Sequence, residues 1–159
     1  MTSNWSAFRA AEPDLATTVE DRFGAFTHHV LATLRKDGSP RTCGLEVRFL
    51  DGELWLGMMA GSLKALDLLR DPRCALQANP GEGTSMGGGD VRVSGRALLV
   101  EDEPTVGRYT GQVAVPDPSS FHLFRVEVTE VTRTSVRDDA YLLVEVWTPD
   151  GGLRSVRRT

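Results

Sequence analysis

Short apolar runs, separated by turn-forming residues, dominate the pattern of hydrophobic and polar positions along this chain. In the first half, the pairs Asp37-Gly38 and Asp51-Gly52 divide three such runs, as tight hairpin turns do. Alternating or continuous apolar positions elsewhere are typical of further strands. The pattern predicts strands over residues 29–34, 41–50, 53–58, 74–78, 91–100, 121–136 and 141–147.

Helical spacing of apolar residues is confined to a few stretches. Residues 5–26 carry apolar side chains at roughly helical spacing, and Pro13 is expected to break this stretch into two pieces. A short helix is predicted over residues 62–70, with Ser62 as its cap and Asp71-Pro72 as its stop. Another is expected to begin near Glu103. Because the strands are mostly consecutive and joined by tight turns, an antiparallel meander or barrel is favoured over a parallel sheet.

Length and composition fit one folded domain. The 159 residues are 40% hydrophobic and 25% charged, which is enough for a real core. We expect a single domain over residues 1–159, with a helical segment at 1–26, a barrel at 27–149 and a solvated basic tail at 150–159. Gly95 interrupts a predicted strand and indicates a bulge or a close approach. The glycine-rich stretch 79–89 is either a lid or a plain loop.

Charge and residue content argue against several function classes. The net charge of -4 lacks the basic excess of nucleic-acid proteins, and no apolar run reaches the length of a membrane span. The N-terminal residues lack the features of a signal peptide, so a cytoplasmic location is expected. Cys43 and Cys74 form no CxxC or Cys/His cluster, so we expect reduced thiols and no metal site. The adjacent His28 and His29 would point to opposite faces of a strand, which argues against joint chelation.

The order of motifs between residues 30 and 76 resembles that of the pyridoxamine 5'-phosphate oxidase-like family of flavin-binding split β-barrels. The chain reads strand, D-G-x-P-R, strand, D-G, strand, S-x-K, short helix, D-P-R, strand, and the resemblance extends over nearly the whole sequence. It implies a mainly β fold, a six-stranded antiparallel split β-barrel of the FMN-binding type. It also implies a homodimer with cofactor sites at the interface, FMN as cofactor with the deazaflavin F420 as alternative, and a small-molecule substrate.

The resemblance also implies which residues hold the cofactor. Arg41 matches the arginine of the second strand that contacts the phosphate, and Ser62 and Lys64 match the serine and lysine of the family's S-R-K element. A phosphate dianion favours such a set of guanidinium, ammonium and helix N–H groups. The other candidates would lie near the flavin ring or ribityl chain: Thr42, Cys43, Gly44, Met58 and Met59. No catalytic acid or base is expected, because the flavin itself carries the hydride chemistry.

Some positions depart from the family pattern. Glu46 stands where the oxidases have a lysine, Leu63 replaces the arginine of S-R-K, and the R-L-x-P segment does not follow Trp147. We therefore expect an FMN-binding oxidoreductase acting on an unidentified small molecule, and not a pyridoxamine phosphate oxidase. The alternatives are an F420-binding reductase and a non-enzymatic split-barrel binding protein that has lost its cofactor. Haem binding is a minor third possibility.

Overall fold

The computed structural model describes residues 1–83 and 88–159, and in these residues the chain forms four helices and nine strands. The helices are α1 (Trp5–Ala11), α2 (Pro13–Gly24), α3 (Leu63–Arg70) and α4 (Glu103–Gln112). The strands are β1 (His29–Leu34), β2 (Pro40–Leu45), β3 (Arg48–Leu50), β4 (Glu53–Met59), β5 (Arg73–Gln77), β6 (Asp90–Val100), β7 (Phe121–Arg137), β8 (Tyr141–Thr148) and β9 (Gly152–Arg158). The expectation of a mainly β fold is confirmed. Part of the predicted 79–89 loop, and with it the question of a lid, lies outside the described residues.

One antiparallel sheet contains all the strands of the described residues. Its order is β2-β1-β5-β6-β7-β4-β3, and β8 pairs with both β7 and β9. Although β2 and β3 follow each other in the chain, they are the two ends of this path, and only Glu46 and Val47 lie between them. The sheet is therefore open where these two strands part. This opening is the split of the barrel.

Two strand predictions differ from the structure. The single strand predicted over residues 41–50 is wrong, because the chain leaves the β2 ladder after Leu45 and joins β4 from Arg48 onward. Residues 152–158, expected as a tail, form β9 and pair with β8. Apart from its first residue, β9 is exposed, so it carries no apolar period for sequence analysis to detect. The strand count therefore exceeds the six that the resemblance implied.

Inward-facing side chains of most of the strands meet in one apolar core, which α1 and α2 cover with Trp5, Phe8 and Val19. A smaller cluster lies beneath α4 and contains Trp55, Tyr109 and Leu123. None of the helices in the described parts of the chain is long and apolar enough to cross a bilayer.

Gly95 marks the predicted irregularity in the sheet. The register between β6 and β7 shifts between Ser94 and Gly95, and a Cβ at Gly95 would lie 2.2 Å from the carbonyl oxygen of Glu127. Only glycine allows the two backbones to approach so closely. The prediction of a bulge or close approach is confirmed.

A buried carboxylate attaches α3 to the first hairpin. Asp67 is 4% exposed, and its Oδ2 accepts hydrogen bonds from Thr33 Oγ1 on β1 and from Arg41 Nε on β2, both at 2.7 Å. Its Oδ1 accepts from Arg70 Nη2 at 2.9 Å. Burial raises the pKa of Asp67, but the hydrogen bonds from Arg41, Thr33 and Arg70 together outweigh burial and lower it. The carboxylate is therefore held in its charged form.

Replacing Asp67 with asparagine is expected to reduce the free energy of unfolding by about 2–3 kcal/mol, because it leaves two arginines without their anion. Since the native pKa of Asp67 is lowered, this contribution is fully present above the ordinary aspartate pKa of about 3.9 and is lost as the pH falls below it. Urea unfolding of the wild type and of Asp67→Asn, at pH values above and below this pKa, measures the difference in the free energy of unfolding. Glu130→Gln, at an exposed pair with Arg92, is the control and should cost well below ~1 kcal/mol. If the difference in unfolding free energy between Asp67→Asn and wild type did not change with pH, a charged Asp67 in the folded protein would be contradicted.

Candidate functional site

A cavity of about 720 Å³ opens at the split of the barrel. One wall contains residues 44–46 at the end of β2, together with Arg48 and His28. A second wall contains residues 57–62 at the end of β4, and Lys64 at the start of α3. A third contains Tyr109 of α4, residues 113–117 and Phe121 at the start of β7. The cavity thus lies where three parts of the chain, distant in sequence, come together.

The structure brings together some of the predicted cofactor residues and not others. Those that line the cavity are Gly44, Met58, Met59, Ser62 and Lys64. Arg41, Thr42 and Cys43 are absent from its lining. As the alternation of a strand requires, Met58 is 5% exposed and points into the core, whereas Met59 is 74% exposed.

Lys64 and Ser62 form the polar end of the cavity. Ser62 is the N-cap of α3, and its Oγ accepts a hydrogen bond from the Ala65 N–H at 3.3 Å. Lys64 Nζ donates to the Gly44 carbonyl at 3.3 Å, so its ammonium lies between α3 and the end of β2. The first N–H groups of a helix lack partners within the helix and favour anions. An ammonium group and a helix start therefore meet at one point of the cavity wall.

Arg41 and Cys43 point away from the cavity, toward α3 and the core. Arg41 Nε is bound to Asp67, as described above. Cys43 Sγ lies 3.7 Å from the Leu31 carbonyl oxygen, and burial raises the pKa of this thiol despite the nearby charges of Lys64 and Arg41. The Arg41 guanidinium, which was predicted to contact the cofactor phosphate, is therefore already paired with a carboxylate in the fold.

Glu46 has a cationic partner that sequence analysis missed. Arg48 Nη2 donates to Glu46 Oε2 at 2.8 Å, and both residues line the cavity. The anion that replaces the family's lysine is therefore balanced by a cation two residues further on. This ion pair could have been predicted from the sequence, because residues two apart in an extended chain lie on the same side.

The third wall is mainly apolar and aromatic, and Asp117 is its one charged residue. The Tyr109 and Phe121 rings are stacked, with centroids 5.8 Å apart and an interplanar angle of 23°. Val113, Val115 and Pro116 extend this wall. Burial raises the pKa of Tyr109, so its hydroxyl stays protonated at neutral pH. Sequence analysis missed these residues because they lie outside the motif-bearing segment.

The two adjacent histidines point in different directions. His29 begins β1 and is buried, with Nε2 2.8 Å from the Phe23 carbonyl oxygen and Nδ1 accepting from the Asn79 N–H at 2.9 Å. Both of its nitrogens are therefore engaged, whereas His28 lines the cavity. Within residues 1–83 and 88–159, no group of three or more metal-binding side chains is suited to hold an ion.

A second groove, of about 930 Å³, lies beside α2 and β3. It is lined by Trp5, by the ion pair of Arg9 and Glu20 at 2.9 Å, and by Arg48. None of the predicted cofactor residues lines it. The cavity at the split is therefore the candidate site.

Comparison with known proteins identifies the same family. The sequence model of the family described as pyridoxamine 5'-phosphate oxidase matches residues 17–135. No curated protein matches the chain.

Three solved structures share the fold at low sequence identity. PhzG from Burkholderia lata 383, in complex with tetrahydrophenazine-1-carboxylic acid, has a TM-score of 0.66 and 16% identity, over 96% of this chain and 92% of its own. A pyridoxamine 5'-phosphate oxidase-related, FMN-binding protein from Nostoc punctiforme PCC 73102 also reaches 0.66 at 16% identity, over 93% and 96%. A heme binding protein from Mycobacterium smegmatis reaches 0.56 at 21% identity, over 87% and 56%.

The surroundings of the two cysteines predict slow alkylation of the folded protein. Burial raises the pKa of Cys74 to about 12 and also raises that of Cys43, so little thiolate forms at either site. With iodoacetamide near the ordinary thiol pKa of about 8.5, Cys43 should react slowly and Cys74 not measurably. Peptide mass spectrometry locates the label, and the urea-unfolded protein, in which both should react, is the control. Rapid labelling of Cys74 in the folded protein would contradict this packing.

Proposed function

Because the chain belongs to the pyridoxamine 5'-phosphate oxidase family, we propose that it is an FMN-binding oxidoreductase that acts on a small molecule. The observation that carries this proposal is the position of Lys64 Nζ, 3.3 Å from the Gly44 carbonyl oxygen, at the start of α3 and in the wall of the cavity. One relative of the same fold is described as FMN-binding, and another was solved with a tricyclic acid. A cytoplasmic location stays a prediction.

The residues of the cavity fit the parts of FMN. Lys64, Ser62 and the first N–H groups of α3 would bind the phosphate, because a cation and a helix start together favour a dianion. Gly44, Met58 and Met59 would lie along the ribityl chain and ring. The phosphate contact of Arg41 stays a prediction, supported by its motif position and opposed by its bond to Asp67. Thr42 and Cys43, which do not line the cavity, would act only indirectly.

FMN, when bound, supplies hydride transfer, so the protein needs only to bind, orient and shield the reactants. The pair of Glu46 and Arg48 adds no net charge to the cavity, and the apolar wall from Val113 to Pro116 would exclude water from that side. The departures at Glu46 and Leu63 argue against pyridoxamine phosphate as substrate. F420 remains the alternative cofactor, and a protein that binds neither would be a non-enzymatic relative.

Replacement of Lys64 by alanine is expected to weaken FMN binding by about 2 kcal/mol, roughly thirtyfold, because a charge-assisted hydrogen bond to the phosphate is lost. Riboflavin has the same ring but no phosphate, so its affinity should change little. Quenching of flavin fluorescence measures both. Lys36→Ala is the matched control, since Lys36 is the only other lysine of the sequence and lies in an exposed turn. An unchanged FMN affinity for Lys64→Ala would contradict the proposed phosphate site.

We further propose that the protein is a homodimer, as the family resemblance implies. Leu63, Leu66 and Leu69 of α3 are 60%, 47% and 46% exposed, and their spacing places them on one side of the helix. This leucine face begins beside Ser62 and Lys64. An exposed aliphatic surface of this kind is typical of a protein–protein contact. A second copy covering it would also adjoin the cavity.

Sedimentation velocity should therefore show a particle of two 17.4 kDa chains. Leu66→Glu places a charge in the proposed contact and is expected to shift the protein to monomers at micromolar concentration. Leu142→Glu, at an exposed leucine of β8, is the control and should leave the dimer intact. A wild-type monomer, or a dimer insensitive to Leu66→Glu, would contradict this interface.

A further inference from the structure

Gly57 leaves a gap in β4 that two aromatic side chains occupy. Gly57 pairs with Leu123 of β7, and the next pair on the same face is Met59 with Phe121. A Cβ built at Gly57 would lie 2.7 Å from Cε2 of Phe121 and 3.0 Å from the Tyr109 hydroxyl oxygen. Any side chain at this position would displace these rings. The absence of a side chain at Gly57 thus sets where the Phe121 ring lies.

The Phe121 ring is the last of three rings in contact. Trp55 donates from Nε1 to the Leu50 carbonyl at 2.9 Å, and its ring meets that of Tyr109 edge to face, with centroids 6.2 Å apart. Tyr109, which is buried, stacks in turn on Phe121. Phe121 is only partly buried and belongs to the cavity wall. The inner rings therefore hold Phe121 in place while part of it borders the cavity.

We infer that Phe121 is the platform on which a planar aromatic ring of the ligand packs, and that Gly57 makes room for this platform. Stacked rings prefer offset contacts with centroids 4.5–7 Å apart, and a further flat ring extends such a stack at no cost in polar contacts. Val113, Val115 and Pro116 add apolar surface beside the ring, and the charged groups of Lys64 and Glu46 belong to the other walls. Asp117, at the end of the same segment, accepts hydrogen bonds from the N–H and the hydroxyl of Ser119. A flat, apolar ring system matches this side of the cavity.

This inference goes beyond the proposed function but rests on it in one respect, since the flavin ring is one candidate for the stacked group. The other is a flat substrate bound next to the flavin. Both have the same chemistry, a planar aromatic ring. Riboflavin reports on the first because it has the ring without the phosphate that Lys64 would bind. Neutral acridine, added to FMN-saturated protein, reports on the second.

The test compares wild type with Phe121→Leu, which keeps an apolar side chain but removes the ring, and with Gly57→Ala, which displaces the ring. Phe26→Leu, which removes an exposed ring that does not line the cavity, is the matched control. Thermal unfolding of each variant shows that it is folded. Fluorescence titration then gives the affinities for riboflavin and for acridine, and 1-adamantanol, apolar but not planar, serves as a competitor.

We expect Phe121→Leu and Gly57→Ala each to lower the affinity for riboflavin or for acridine by roughly tenfold, as loss of an aromatic stacking partner does. Phe26→Leu should change it less than about threefold, and 1-adamantanol should compete weakly. A loss for riboflavin identifies the flavin ring as the stacked group, and a loss for acridine identifies a substrate ring. Unchanged affinities for both ligands in both variants would overturn the inference. If wild type binds acridine through Phe121 but binds no FMN, the platform stands and the proposed function fails.

Discussion

The buried carboxylate of Asp67 is the interaction on which the candidate site depends. It joins α3 to β1 through Thr33 and to β2 through Arg41, at 2.7 Å in both cases. Because α3 has only eight residues, its own hydrogen bonds do not suffice to hold it in place. Packing of Ala65 and Leu68 into the core adds to this attachment.

Ser62 and Lys64 lie at the N-terminal end of α3, so the ion pair of Asp67 and Arg41 that fixes this helix also fixes the polar end of the cavity. Arg41 contributes to the attachment of α3 through its bond to Asp67.

The opening of the sheet between β2 and β3 gives the cavity its place and its mixed chemistry. At this opening, residues from β2, β4 and the segment after α4 line one cavity. Glu46 is paired with Arg48 at 2.8 Å, and the Asp117 carboxylate accepts a hydrogen bond from Ser119. Among its described partners, Lys64 Nζ contacts only a neutral carbonyl oxygen. A cavity with one such ammonium, a helix start and an aromatic wall suits a ligand with an anionic end and a flat ring. FMN has both.

Local signals predicted the parts of the fold that depend on short stretches of sequence. The Asp-Gly turns, the Ser62 cap and the Gly95 bulge each have a cause within a few residues, and the structure contains all of them. The break at Glu46 and the pairing of β9 were not predictable in this way, because they depend on which strand edges are free once the sheet has formed. The same distinction holds for the site. Ser62 and Lys64 belong to one motif, whereas Arg48, Tyr109 and Phe121 reach the cavity only through tertiary structure.

Native mass spectrometry of the protein, purified without added cofactor and then mixed with FMN, measures the bound cofactor and the number of chains together. We expect a particle of two chains that carries FMN, with the same flavin released on unfolding. A particle that carries F420 or haem instead, or a chain that takes up no FMN under these conditions, would contradict it.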